Sequence, residues 1–296
     1  MNERPAAFPI APLRFTLRSA GLTFPDFSGS VWHGGLGKML AQHFPTSYQL
    51  LYGGQNLARL YALRPPVDER FPPGSLLTFH LNLFGAATGH VLACTQAIAL
   101  LGEAGMDPAG HYRLEEASVL LPEGDAVFFR AGDGLITAPQ VADFREWVGR
   151  DAAQQRVGIR LLTPLFIKEG NKQLQEAPSY AQLLHRLFSR LDQLAHVIGS
   201  EPPIAKCARA PLFEEARQVA LVGAEVGWPE LSRRSARTKQ QMKLEGLLGH
   251  LQFAGELTHT LPWLIAGQQV QIGAKTAFGF GGYQIQIDYE TGGSRG

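Results

Sequence analysis

The sequence predicts an α+β protein made of two tandem βαββαβ units. Strand-type alternation and helix-type periodicity follow one another in the order β-α-β-β-α-β, and the same order returns in the second half. A glycine-rich segment, Gly273-Ala-Lys-Thr-Ala-Phe-Gly-Phe-Gly-Gly-Tyr283, then separates the last helix pattern from the last strand pattern.

In the first unit Leu13-Arg-Phe-Thr-Leu17 alternates as a strand. Trp32, Leu36, Met39, Leu40 and Phe44 after Gly29-Ser30 keep helical spacing. Strands are expected at Leu57 to Leu63 and Leu76 to Phe84, then a helix from His90 to Glu103 that Gly105 stops, then a strand from Arg113 to Leu121. Ala126 to Arg130 and Gly134 to Thr137 read as an added hairpin, followed by a short helical stretch to Val148. The second unit opens with a strand at Val157 to Leu162. Its helix, Tyr180 to Val197, carries Leu183, Leu184, Leu187, Phe188, Leu191 and Leu194 on one stripe. Strands at Gln218 to Val226 and Leu247 to Phe253, a helix at Leu257 to Ile265 and a strand at Tyr283 to Tyr289 complete it. Each unit has the order of a ferredoxin-like domain, an antiparallel sheet with helices on one face. The domains expected are 1–152 and 153–296, with the boundary near Gly149 to Gln155.

A chain of 296 residues is long enough for two such cores. With 45% hydrophobic and 18% charged residues it reads as globular. No run of 18 uncharged apolar residues suggests a membrane span, and Met1-Asn-Glu-Arg-Pro5 is not a signal-peptide start. A cytoplasmic protein is therefore expected. Cys94 and Cys207 sit in apolar contexts and read as core residues, not as a disulfide or zinc site. The histidines are scattered, and neither a metal nor a cofactor is expected.

The glycine-rich segment has a phosphate-binding composition. Gly273, Gly279, Gly281 and Gly282 let backbone amides approach an anion, and Lys275 and Thr276 add a cation and a hydroxyl. It does not match the Walker spacing, and a strand rather than a helix follows it, so a glycine-rich hairpin is the alternative. The net charge of +1 is unevenly distributed. Acids dominate between Glu103 and Asp151, whereas Arg233 to Lys243 carries Arg233, Arg234, Arg237, Lys239 and Lys243 with no acid. A solvated helix face would intersperse Glu with Lys, so this run reads as an anion-facing loop or strand edge.

Four segments together resemble the RAMP superfamily of CRISPR systems, and within it the CRISPR-associated protein six family that cuts precursor CRISPR RNA. They are Gly29-Ser-Val-Trp-His-Gly-Gly-Leu-Gly37, Leu161-Leu-Thr-Pro-Leu-Phe-Ile-Lys168, the Arg233 to Gly249 run, and Gly273 to Gly282. The resemblance implies two ferredoxin-like domains with a glycine-rich loop before the final strand. It also implies a metal-independent endoribonuclease, in which the ribose 2′-OH attacks the adjacent phosphate to leave 2′,3′-cyclic phosphate and 5′-OH ends. CRISPR repeat RNA is the implied partner, no membrane is, and subunits of an effector complex or a second copy of the chain are further partners it allows. A catalytically inactive RAMP subunit that binds guide RNA is the alternative, since such subunits share the fold and the loop.

Such chemistry needs proton transfer and a cation for the developing phosphorane charge. Family members often place a histidine in or beside the first helix, helped by a tyrosine and a lysine. Here that region holds His33, Lys38 and His43. His43 shares helical spacing with Leu36, Met39 and Leu40, so a semi-buried packing role is expected for it. His33 precedes Gly34-Gly35 and is expected in the first turn, where amides point at an anion, and it is the favoured general acid/base. Many relatives carry arginine at the His33 position. Lys38, five residues on, points about 140° away on a regular helix, so the two flank one phosphate only if the helix starts after the glycines. Tyr48 and Tyr52 follow without an assigned role. The basic run is expected to hold the repeat stem or its flanking strand through phosphate contacts. Phe278 and Phe280 are candidates to stack on bases, with core packing the stronger expectation.

Overall fold

The computed structural model describes residues 8–24, 27–54, 58–149, 154–169, 172–229, 231–234, 241–244 and 246–287. The first unit starts with β1 (Pro9–Ser19), whose Leu13, Phe15 and Leu17 point inward and are fully buried. Helices α1 (Gly29–His43) and α2 (Pro45–Tyr52) follow, then β2 (Tyr61–Arg64), β3 (Leu76–Phe84), α3 (Val91–Ala104), β4 (Tyr112–Leu121) and β5 (Gly124–Arg130). The sheet runs β2-β3-β1-β4-β5, all antiparallel, with the short strand Gly134–Leu135 at its far edge. Among the four βαββαβ strands the spatial order is therefore 2-3-1-4, which is the ferredoxin-like arrangement. The expected hairpin after β4 widens this sheet. Trp32 on α1 stacks on Phe79 of β3 at 4.2 Å between ring centroids, which seats the helix on the sheet.

The second unit repeats the plan with β6 (Arg156–Leu165), α4 (Tyr180–Ile198), α5 (Ala210–Gln218), β7 (Ala220–Gly227), the hairpin β8 (Leu231–Arg234) and β9 (Gln241–Leu244), β10 (Leu247–Ala254), α6 (Leu261–Gly267) and β11 (Tyr283–Gln286). Its sheet runs β7-β10-β6-β11, again 2-3-1-4 and antiparallel. Ser179 and Gln182 form a capping box at the start of α4, Gly199 in the left-handed conformation ends it, and its leucine stripe is buried as the periodicity predicts. Helices α2 and α5 are additions to the predicted order, and α5 takes in Gln218, which had been read as the start of a strand.

The two units meet along the edge strand β2. Tyr61, Ala62 and Leu63 are all buried although β2 ends its sheet, because the chain before β11 covers it. Gln271 Nε2 donates to the Leu63 carbonyl at 2.6 Å, and Asn82 donates to the Gln269 carbonyl. An open strand edge is thus closed by the second unit.

Three expectations are corrected. Cys207 is exposed, since it lies in a 3₁₀ turn on the surface before α5, whereas Cys94 is buried as expected. His43 is exposed, because α1 ends there and the chain turns inward at Phe44 instead. The helix starts at Gly29, so His33 stands in its second turn and not at its amide-rich end. Segment Gly85–Ala104, the one helical stretch among the described residues long and apolar enough to cross a membrane, has mean hydropathy 1.2 in its best window. Half of that window is buried, which accounts for its composition as a core helix against the sheet. The expected boundary at 152/153, the start of the Leu57 strand and the last two residues of the Tyr283 to Tyr289 strand lie outside the described residues.

Candidate active site between the first helix and the glycine-rich loop

The glycine-rich loop is a fixed piece of architecture. Gly281 adopts φ 77°, and a Cβ there would lie 1.8 Å from the Ile272 carbonyl oxygen, so only glycine fits. The Gly281 amide donates to the Pro164 carbonyl, that of Ala274 to Phe166, and that of Gly282 to Thr163 Oγ1 at 2.8 Å. These amides hold the loop to the β6 end, so the composition that suggested a phosphate cradle is used largely for the fold. Thr276 is buried in the 3₁₀ turn Thr276–Phe278. Lys275 is a non-glycine residue at φ 63°, a conformation uncommon outside constrained sites, and its ammonium lies 4.1 Å from the Phe166 ring centroid. Phe280 is fully buried.

The loop's turn meets α1 at His33. His33 Nδ1 lies 3.1 Å from the Ala277 carbonyl oxygen and 2.9 Å from the Tyr61 hydroxyl, and the ring packs on Phe278 with centroids 4.0 Å apart. A carbonyl only accepts, so the neutral ring carries its proton on Nδ1 and its lone pair on Nε2, an assignment made from these partners. The Tyr52 hydroxyl donates to the His33 backbone carbonyl at 2.8 Å. Burial raises the pKa of both phenols, that of Tyr61 far above its ordinary value. Near neutral pH they are hydrogen-bonding groups that orient the imidazole, not proton-transfer groups.

His33 opens onto a cleft of about 520 Å³, lined also by Arg59, Arg190, His196 and the loop from Gly273 to Phe278. Among the described residues no carboxylate lines it. Arg59 is held by donating to the Tyr52 carbonyl at the end of α2, at 2.8 Å. The cleft therefore unites one fixed imidazole with cations from α4, the loop and the segment before β2.

Of the residues singled out from sequence, His33, Gly273, Lys275 and Thr276 come together here. Gly279, Gly281 and Gly282 shape the loop without lining the cleft. Lys38 and His43 are exposed and do not line it. Lys38 stays on another face because α1 begins before the glycines. Arg233 and Arg234 lie on β8 and Lys243 on β9, which pair antiparallel, while Arg237 and Lys239 lie outside the described residues. Tyr61, Arg59 and Arg190 were missed. Tyr61 sits in an ordinary strand pattern, and only the loop packed across β2 makes it a partner of His33. Tyr61→Phe is expected to slow single-turnover RNA cleavage by about 2- to 10-fold, the worth of one such hydrogen bond, with RNA affinity unchanged. Quantified gel assays at saturating protein check it.

Two ferredoxin-like units, with the glycine-rich loop of the second closed over the first helix of the first, are the class of architecture the chain adopts. Residues 159–283 match the family model for CRISPR-associated endoribonuclease Cas6. That match falls on the second unit, and the fold of the whole chain is that of solved Cas6 proteins. A Cas6 product complex is 17% identical with a TM-score of 0.60, over 94% of this chain and all of that one. Thermus thermophilus Cas6 is 14% identical, with a TM-score of 0.61 over 95% of this chain and 100% of that chain. A partial Cas6-RT-Cas1–Cas2 complex matches at 14% identity and a TM-score of 0.65, over 97% of this chain and 47% of that one. At these identities the likeness speaks for the fold. No curated protein sequence matches the chain.

Proposed function

We propose that the chain is an endoribonuclease that cuts precursor CRISPR RNA within its repeats without a metal. The observation that carries this reading is His33, an imidazole fixed through Nδ1 in a cleft lined by cations. In the proposed step a ribose 2′-OH gives its proton to Nε2 as its oxygen bonds to the adjacent phosphorus. The P–O5′ bond breaks, the leaving oxygen takes up a proton, and a 2′,3′-cyclic phosphate and a 5′-OH remain. Lys275 and Arg59 stand where they would offset the added phosphorane charge. Solved relatives include a Cas6 product complex and a Cas6 substrate-mimic complex, which supports RNA as the ligand of this fold.

The test is incubation of the purified chain with end-labelled repeat RNA in excess EDTA. Cleavage with a cyclic-phosphate end, unchanged by the chelator, is expected. Binding without cutting would instead identify the guide-RNA-binding subunit, and cutting that EDTA abolishes would overturn the mechanism.

A further inference from the structure

Arg190 is a buried cation with no counter-charge among the described residues. It is 5% exposed, Nε reaches only the Val270 carbonyl at 3.5 Å, and buried Nη2 has no hydrogen-bond partner. Its guanidinium lies 5.8 Å from the Phe84 ring centroid, at the seam of the two units. Burial lowers its pKa to about 10, so it stays charged near neutral pH. Arg209, also buried, shows what a satisfied guanidinium looks like here: Asp192 pairs with it at 2.9 and 2.6 Å. A buried charge left unpaired is costly, and one that faces a cleft is suited to an incoming anion.

The position of Arg190 says which anion. It lines the His33 cleft and also an adjoining cleft of about 490 Å³ that holds Phe166, Lys168 and Arg186. The wall between them is one face of α4, where Arg186, Arg190 and Gln193 follow at i, i+4 and i+7. Arg186 and Arg190 lie four residues apart, about 6 Å along the helix. That is about two nucleotide steps at the roughly 3.4 Å rise per phosphate of a helical strand.

We propose that Arg190 binds a backbone phosphate of the RNA strand in the His33 cleft, and that Arg186 binds a further phosphate as that strand passes along α4 into the adjoining cleft. The proposal rests on the RNA-cleaving reading and adds the path of the flanking strand.

Arg190→Met decides it, measured in a His33→Ala background that leaves the probe intact. The probe is the repeat RNA of the protein's own CRISPR array, titrated by fluorescence anisotropy over a range of salt. Affinity is expected to fall on the order of tenfold, the worth of one charged hydrogen bond. The slope of log K against log salt becomes shallower by about 0.7, and adding Arg186→Met takes off about 0.7 more. The melting temperature holds or rises, because an apolar side chain replaces a buried unpaired charge. An unchanged slope overturns the proposal, and an unchanged slope with a lowered melting temperature makes Arg190 a clamp between the units.

If Arg190→Met does not fold, the arginine Nε–H resonance of Arg190 in the parent protein takes its place, assigned by its loss in Arg190→Lys. It shifts on saturation with the repeat RNA if Arg190 meets phosphate, and a resonance that does not move overturns the proposal. A parent protein that binds no repeat RNA defeats the functional reading, and this inference with it. A parent that binds while the Arg190 slope stays unchanged defeats this inference alone.

Discussion

His33→Ala is expected to lower cleavage of repeat RNA by about 10²- to 10⁴-fold, the usual contribution of a positioned acid–base group, while RNA affinity stays nearly unchanged. The argument is geometric. Nδ1 meets the Ala277 carbonyl and the Tyr61 hydroxyl, so the proposed reaction uses Nε2 for proton exchange with the substrate. The imidazole is not the main source of positive charge in the cleft, which Arg59, Arg190 and Lys275 also line, so removing it leaves the electrostatic attraction for phosphate in place. Rapid-quench single-turnover assays beside anisotropy titrations check both halves. Retained cleavage in His33→Ala, with loss in His43→Ala, would move the chemistry to the exposed end of α1. Loss in Lys38→Ala alone would point to the opposite face of that helix.

How much of this was legible in the sequence depends on the range of the interaction. Both βαββαβ units were readable because local periodicity decides them, as the Tyr180 stripe and the Leu76 to Phe84 alternation show. The helix Ala210–Gln218 was not, since it buries only Ala216 fully and leaves little apolar pattern. His33 was legible as a candidate, but the reason first given for it, a place among helix-end amides, is not the one the structure supplies. Its partners lie 28 and 244 residues away. Such contacts come from topology: the glycine-rich loop must cross edge strand β2 before Tyr61 and Ala277 can meet one ring. Arg190 left a faint local trace, a cation beside a leucine stripe with a second cation one turn before it. Only the seam between the units shows that no carboxylate among the described residues answers it.

Gly29→Ala is expected to slow cleavage on the order of 10²-fold while the chain still folds. A Cβ at Gly29 would lie 2.0 Å from the Phe278 carbonyl oxygen and 2.6 Å from the Phe27 ring. Gly29 is the first residue of α1, where alanine is compatible with the helix, so the substitution opposes its contact with the loop and not the helix itself. The loop has little room to yield, because the Gly279 amide is held by the Thr276 carbonyl, the Phe278 amide by Lys275, and the Gly281 amide by Pro164. The seam must therefore open, which lengthens the 3.1 Å contact between His33 Nδ1 and the Ala277 carbonyl and turns the imidazole away from its set orientation. A displacement of about 1 Å at a reacting group is enough for a loss of that size. Overpacking costs about 1–3 kcal/mol of stability, which urea denaturation measures directly. Because the cations of α4 do not depend on Gly29, RNA binding persists in the variant. A full cleavage rate in Gly29→Ala would show that the loop and α1 need not touch for the reaction, and would separate His33 from the carbonyl that fixes its tautomer.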